Sequence, residues 1–167
     1  YHPVTGIDPL KVEHERKIFF QELAESELQI LITPPNQDPG NEKVWENIEK
    51  LASKHPSRVH VLPNLGIQTY FSLMRCKGLV VGNSSSGVID APIAGVKSID
   101  FGARQKSRWR PPTVISVPAR PGALSEVLNG PEVFLRPESA TGYGSPGVSR
   151  RIVNSTFDKK HLLTTEK

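Results

Sequence analysis

A run of glycine, asparagine and three consecutive serines is the part of this sequence best suited to bind a ligand. The apolar residues 78–81 stop at Gly82, and the serines Ser84, Ser85 and Ser86 follow shortly after. Read as a strand, a turn and a helix start, the run places backbone N–H groups and hydroxyls where they can hold an anion. One serine would suffice as a helix N-cap, so three of them favour a phosphate group as the ligand.

A carboxylate follows the serines at Asp90. On the helix that continues from the serines, it could accept hydrogen bonds from the hydroxyls of a ribose, which would make the ligand a nucleotide diphosphate. The alternative is that Asp90 is an ordinary exposed residue and that the serines form only a polar helix cap.

Four cations crowd a short segment that follows a predicted strand. They are Arg104, Lys106, Arg108 and Arg110, in a chain whose formal net charge is +4. Guanidinium groups at the carboxyl edge of a strand suit diphosphate recognition, although helix-cap charges or surface salt bridges would look the same. Because Trp109 is the only aromatic residue among them, no nucleic-acid partner is expected.

Three further polar residues stand in loops that a ligand could reach. His2 follows a presumed strand end and could act as a general acid near neutral pH, donate to a phosphate, or be structural. Asn36 and Asn64 lie in predicted loops after strands, where turn formation is the simpler explanation. The remaining histidines show no metal-ligand spacing, and neither a metal nor another cofactor is expected.

Other common chemistries lack their motifs in this chain. It has no nucleophile elbow, no zinc-binding helix motif and no P-loop. Cys76 is the only cysteine, which excludes an intrachain disulfide, and its neighbours predict that it is buried as a small hydrophobe. Because no signal peptide or apolar stretch of about 18 residues is present, we expect a cytoplasmic protein without membrane contact.

Helical and strand patterns alternate along the chain. Predicted strands cover 28–32, 58–62, 78–81, 97–101 and 114–117, and predicted helices start at Asp8 and at Asn41 as N-caps and cover 67–75, 86–94, 121–128 and 148–157. The alternation predicts an α/β fold with a parallel sheet covered by helices on both faces. The loops at the carboxyl ends of the strands should gather at one ligand crevice.

The first residues, 1–6, form a loop that should follow a strand, yet no strand precedes them. A parallel sheet would start with an apolar strand ahead of His2, so the chain is expected to be half of a larger protein. We expect one domain over residues 1–157, followed by a flexible tail at 158–167.

Five motifs occur in order along the chain: H-P-V-T from His2, P-N at 35–36, G-N-S-S-S-G-V-I-D from Gly82, G-A-R-Q-K-S-R from Gly102, and Y-G at 143–144 ahead of the terminal helix. Together they resemble the C-terminal half of the UDP-N-acetylglucosamine 2-epimerase family. The serine motif and the R-Q-x-x-R run resemble its hydrolysing branch, which makes free N-acetylmannosamine or a related 2-acetamido sugar.

The resemblance implies two Rossmann-like domains arranged as in GT-B enzymes, with the substrate between them and this chain as the UDP-binding half. The implied UDP-binding residues are Asn36, Asn64, Ser84, Ser85, Ser86, Asp90 and Arg104, and His2 is the implied catalytic residue. Asp90 stands where many relatives have glutamate. In this interpretation the partners are a UDP-sugar, the absent N-terminal domain and, in the full-length protein, further copies in a homo-oligomer.

The reaction implied by the resemblance is loss of UDP by elimination to a glycal, followed by hydration with inversion at C2. Its proton-transferring carboxylates come from the N-terminal domain, so this chain alone should be inactive. Two other functions are compatible with the sequence. One is a GT-B glycosyltransferase domain, and the other is a non-catalytic module that binds a nucleotide or a nucleic acid through the cluster from Arg104 to Arg110.

Overall fold

Short strands and helices alternate through the chain, as the sequence pattern predicts. The computed structural model describes residues 1–76, 78–137, 143 and 146–160. The strands are β1 (Ile30–Ile32), β2 (Val59–Val61), β3 (Val80–Gly82), β4 (Ser98–Phe101) and β5 (Val114–Val117). The helices are α1 (Pro9–Glu25), α2 (Asn41–Lys54), α3 (Gly66–Arg75), α4 (Ser85–Val88), α5 (Asp90–Ala94), α6 (Ala123–Leu128) and α7 (Val148–Lys160), with a 3₁₀ turn at Pro131–Phe134.

All strand pairs are parallel, which confirms the predicted α/β architecture. β1 pairs with β2, and β3, β4 and β5 form a second sheet in that order. Every residue of β4 is buried, as expected for the central strand of a parallel sheet with both faces covered. The five strands therefore form two sheets within the described residues, where the sequence predicted one.

Helix α1 places the first residues of the chain against the core. It starts as predicted, because the Asp8 side chain accepts a hydrogen bond from the Leu10 N–H and Pro9 needs no N–H at the first helical position. Its Phe19 ring lies 4.8 Å from the Tyr1 ring and 5.2 Å from the Phe101 ring, between centroids. This aromatic contact joins the first residue to β4 and holds the next one, His2, near the strand ends.

The main core lies between the sheets and helices α1, α2 and α6. It is built from apolar residues such as Ile48, Ile99 and Leu124, each of which has no measurable exposure. Glu22 of α1 contacts the start of α6: its carboxylate oxygens accept from the Gly122 and Ser125 N–H groups at 2.9 and 2.7 Å. A buried carboxylate there satisfies the unpaired donors at the start of α6.

One predicted helix start and one predicted helix span differ from the structure. Asn41 is the first residue of α2 rather than its cap; the N-cap is Gly40, at φ 91°, and no side chain caps the helix. The predicted helix over 86–94 is interrupted at Ile89, between α4 and α5. Pro92 explains the break, because it has no N–H for the Val88 carbonyl and its ring crowds that carbonyl.

The prediction that Cys76 is buried is wrong. Cys76 caps the carboxyl end of α3 and is exposed. The residue lies one position beyond the last helical turn, so the apolar side of α3 no longer covers it. At the other end of the chain, α7 continues to Lys160, and the rest of the predicted tail, 161–167, lies outside the described residues together with 138–142 and 144–145.

Candidate functional site

Asn83 joins the first segment of the chain to the loop that carries the serines. Its Oδ1 accepts from the His2 N–H at 2.7 Å, and its Nδ2 donates to the His2 carbonyl at 2.9 Å. The side chain is only 1% exposed, so these bonds form away from water. His2 is thereby fixed beside the predicted anion site, although 81 positions separate the two residues in the sequence.

The loop after β4 is tied to the same residue. Arg104 Nη1 and Gln105 Nε2 both donate to the Asn83 main-chain oxygen, at 3.1 and 2.9 Å. Gln105 is buried and Arg104 is partly exposed. Asn83 therefore connects three segments: the first residues, the serine loop and the arginine loop. Sequence reasoning assigned no role to Asn83 or Gln105, although both lie inside the motifs it selected.

The His2 ring is held in one orientation. Its Nδ1 accepts from the Asn36 main-chain N–H at 2.9 Å. Burial, then the Tyr1 ammonium group and the Arg104 guanidinium, lower the pKa of His2 to about 4. At neutral pH the ring is therefore uncharged, and because Nδ1 is an acceptor the proton lies on Nε2.

Arg104 also faces an acidic side chain. Its Nη2 lies 3.9 Å from Asp38 Oδ2, and the same oxygen accepts a short hydrogen bond from Asn36 Nδ2. Asn36 Oδ1 is buried and has no hydrogen-bond partner among the described residues. A guanidinium and an amide thus already hold one anionic oxygen, which is the kind of group that a phosphate presents.

The three serines have different surroundings, and all are half-buried. Ser84 caps α4, since its Oγ accepts from the Ser86 N–H at 3.2 Å. Ser86 Oγ lies 2.6 Å from the hydroxyl oxygen of Tyr70 on α3. The Ser84 cap is the alternative that the sequence left open, and a capping oxygen keeps its hydrogen for a second partner.

Ser85 and Arg104 line the same concavity, whose volume is about 460 Å³. The remaining lining residues are Val4, Thr5, Ile7, Glu15, Ala103, Gln105, Ser107 and Arg108. The lining therefore includes two guanidinium groups, three hydroxyls and one carboxylate, that of Glu15, beside the apolar side chains of Val4, Ile7 and Ala103. Such a surface is suited to a small polyanion with an uncharged portion.

Of the predicted site residues, Ser85 and Arg104 line this concavity, and His2, Asn36, Asn64, Ser84, Ser86 and Asp90 do not. Asn64 is exposed, and its Oδ1 accepts from the Gly66 N–H at 3.1 Å, which is the turn role anticipated for it. Asp90 is half-buried at the first position of α5. Neither belongs to the lining or to the hydrogen bonds around Asn83 within the part of the chain that the structure describes.

The arginine cluster divides into different roles. Arg110 forms an ion pair with the buried Asp100, with Nε and Nη2 at 3.0 and 2.8 Å from Oδ2. That pair links β4 to the following loop and is structural. Arg104 and Arg108 are the members that reach the concavity. Among the described residues, no group of three or more histidine, cysteine or acidic side chains could hold a metal ion.

The fold and the site together describe a Rossmann-like α/β domain that presents guanidinium and hydroxyl groups at the carboxyl ends of its parallel strands. Residues 1–156 match the family described as UDP-N-acetylglucosamine 2-epimerase, and the chain belongs to that family. No helix in the described ranges is long and apolar enough to cross a membrane.

Three curated relatives illustrate the similarity. The chain is 31% identical over 138 residues to a Legionella pneumophila UDP-N,N'-diacetylbacillosamine 2-epimerase (hydrolyzing), an alignment that covers 80% of this chain and 36% of the relative. It is 31% identical to a Neisseria meningitidis UDP-N-acetylglucosamine 2-epimerase, over 69% of this chain and 29% of the relative. It is 30% identical to a Campylobacter jejuni GDP/UDP-N,N'-diacetylbacillosamine 2-epimerase (hydrolyzing), over 69% of this chain and 30% of the relative. The chain thus spans about a third of the length of these relatives.

Proposed function

We propose that this chain is the UDP-binding part of a hydrolysing 2-epimerase that acts on a UDP-2-acetamido sugar. The family membership and the hydrolysing relatives support the reaction class. The full reaction also needs the part of the protein that the relatives have and this chain does not span. The partners in this proposal are a UDP-sugar, the remainder of the same polypeptide and a second copy of the full-length enzyme.

The observation that carries the proposal is the position of Arg104. Its guanidinium is fixed by the Asn83 carbonyl and lines one concavity together with the Ser85 side chain. In the proposed reaction the C1–O bond breaks and both electrons leave with UDP, so negative charge develops on the diphosphate. Donors that are already in place stabilise that charge without reorganisation.

The interrupted helix changes which groups supply this stabilisation. Because α4 has only four residues, its dipole is small and adds little to the binding of an anion. The Arg104 guanidinium, the serine hydroxyls and the first N–H groups of α4 remain as donors. In the proposal Ser84 donates its hydroxyl hydrogen to a phosphate oxygen while its Oγ continues to cap the helix.

His2 acts in this proposal as an uncharged donor. Its pKa of about 4 leaves no imidazolium at neutral pH, so we assign it a hydrogen bond from Nε2–H to the leaving diphosphate rather than proton release from a charged ring. Asn36, whose Oδ1 is buried without a partner among the described residues, is assigned to the nucleoside. Asn64 and Asp90 keep the UDP contacts that the resemblance implies, as proposals.

Calorimetry with UDP and uridine tests the binding proposal on this chain. Arg104→Ala removes a charge-assisted hydrogen bond to phosphate, worth about 1.5–3 kcal/mol, so UDP affinity should fall roughly 10- to 100-fold. Uridine has no phosphate, so its affinity should change less than about threefold. Arg120→Ala is the matched control, because Arg120 pairs with Glu126 on the exposed surface. Equal losses for UDP and uridine would remove Arg104 from the diphosphate.

The reaction itself is tested with the full-length protein. Incubation with UDP-N-acetylglucosamine and no acceptor should release UDP and a free 2-acetamido sugar with the opposite configuration at C2. In deuterated water the product should carry deuterium at C2, because elimination removes the C2 proton and hydration returns one from solvent. Turnover that needs a sugar acceptor would instead indicate a glycosyltransferase.

A further inference from the structure

Glu15 brings a buried carboxylate to the concavity that Arg104 and Ser85 line. It lies on α1, is only 8% exposed and belongs to the lining. Among the residues that the structure describes, no hydrogen bond or ion pair is made by its carboxylate. A carboxylate buried to this degree normally has a hydrogen-bond partner or an ion-pair partner. The Glu15 oxygens are therefore available to a ligand in the concavity.

The Glu15 carboxylate lies against the start of the loop that carries the arginines. Its Oε2 is 3.5 Å from the position that a Cβ on Gly102 would take, and Gly102 precedes Arg104 by two positions. The loop is held in place, because the Gln105 side chain is buried and donates to the Asn83 main-chain oxygen. The carboxylate and the guanidinium groups therefore belong to one site whose geometry the fold sets.

The opposite charges in this concavity select different parts of a ligand. The guanidinium groups of Arg104 and Arg108 have only donors and attract phosphate oxygens. An ionised carboxylate has only acceptors, so a phosphate oxygen beside Glu15 would be repelled and would have no hydrogen to donate. The ligand must therefore present its phosphates to the arginines and a hydrogen-bond donor to Glu15.

In a UDP-sugar, the sugar is the part that meets this requirement. Asn36 and Asp90, which are assigned to the nucleoside, do not line the concavity, so the part of the ligand beyond the diphosphate lies inside it. The hydroxyls and the acetamido N–H of a 2-acetamido sugar are donors. Free UDP has a terminal phosphate oxygen in place of the sugar, which adds about one negative charge at neutral pH and offers no donor.

We propose that Glu15 is a specificity-determining residue whose carboxylate accepts a hydrogen bond from the sugar of the substrate. The same carboxylate disfavours UDP, because it faces the added negative charge of the terminal phosphate. Glu15 thus favours the UDP-sugar over the UDP that remains after the sugar has left. The inference rests on the proposed function, since it takes the diphosphate to lie at Arg104.

Calorimetry of the 167-residue chain with UDP and with UDP-N-acetylglucosamine tests the proposal. In Glu15→Ala the affinity for UDP-N-acetylglucosamine should fall about tenfold, because a charge-assisted hydrogen bond is lost. The affinity for UDP should instead stay the same or rise by up to about fivefold, because a repulsive charge is removed. Glu13→Gln is the matched control, since Glu13 lies on the same helix and pairs with the exposed Lys17, and it should change both affinities less than about twofold.

Glu15→Gln keeps the test informative if the alanine variant does not fold. Its amide has nearly the same size and retains an acceptor without the charge, so the preference for UDP-N-acetylglucosamine over UDP should fall about threefold. Equal losses for the two ligands would place Glu15 at the nucleoside and overturn the proposal, and unchanged affinities for both would overturn it as well. Failure of the unsubstituted chain to bind UDP would be a separate result, which would reject the proposed function together with this inference.

Discussion

Replacement of the Asn83 side chain should destabilise both the fold and the orientation of His2. Asn83→Ala removes the two hydrogen bonds that join its amide to the His2 main chain, at 2.7 and 2.9 Å. The His2 N–H and carbonyl then lose their partners in a region where the lost side chain was 1% exposed.

The magnitude follows from the number of groups left unpaired. Each buried group without a partner costs about 1–3 kcal/mol. His2 is half-buried, so water recovers part of that cost and the lower half of the range applies to each group. We therefore expect the free energy of unfolding to fall by about 2–4 kcal/mol.

Denaturant unfolding and an NMR titration of His2 check this expectation. Asn47→Ala is the matched control, because Asn47 is an exposed asparagine whose amide bonds only to the Lys43 carbonyl within α2. That variant should change the unfolding free energy by less than about 0.5 kcal/mol. In Asn83→Ala the pKa of His2 should also rise from about 4 toward its ordinary value, because the ring gains access to water. If Asn83→Ala lowered the free energy of unfolding no more than Asn47→Ala does, and left the pKa of His2 unchanged, the reasoning would be refuted.

Three further changes follow from the same contacts. Because folding lowers the pKa of His2, the unfolded chain binds one more proton than the folded chain between about pH 4 and 6.5. The contribution of His2 to the free energy of unfolding is therefore fully present above about pH 6.5 and is lost as the pH falls toward 4. In acid unfolding curves, His2→Gln should reduce the decrease in unfolding free energy over this range by about 1 kcal/mol, a figure discounted for the partial exposure of the ring. Asp38→Asn should raise UDP affinity up to about fivefold in calorimetry and leave uridine affinity unchanged, since the Asp38 carboxylate now competes with phosphate for Arg104. Tyr70→Phe removes the bond to Ser86 and should lower the free energy of unfolding by about 1 kcal/mol in denaturant titrations, whereas no change would show that the pair contributes nothing.

Local patterns were enough to predict the strands and most of the helices of this fold. The apolar runs gave every strand to within two residues, and the Asp8 and Pro9 pair located the start of α1. Apolar runs and helix-capping residues depend only on residues that are close together in the sequence, so they can be recognised without the structure. The break at Ile89 could also have been predicted from the sequence, because Pro92 has no N–H to donate to the Val88 carbonyl four positions earlier.

The connections within the site could not be obtained in the same way. The role of Asn83 depends on hydrogen bonds to His2, which is 81 positions away in the sequence. A pattern of neighbouring residues carries no information about a contact between residues so far apart in the chain. The low pKa of His2 likewise comes from burial and from Arg104, which only the folded chain brings near. For the serines, the motif alone did not show that Ser84 caps the helix or that Ser86 contacts Tyr70.

The central claim is that the diphosphate binds between the serine loop and Arg104, and an NMR titration of the isotope-labelled chain tests it most directly. UDP should shift the amide signals of Ser85 and Gly87 and the Nε–H signal of Arg104, whereas uridine should leave all three in place. Shifts of equal size with both ligands, or UDP-induced shifts confined to residues outside this loop and Arg104, would contradict the account.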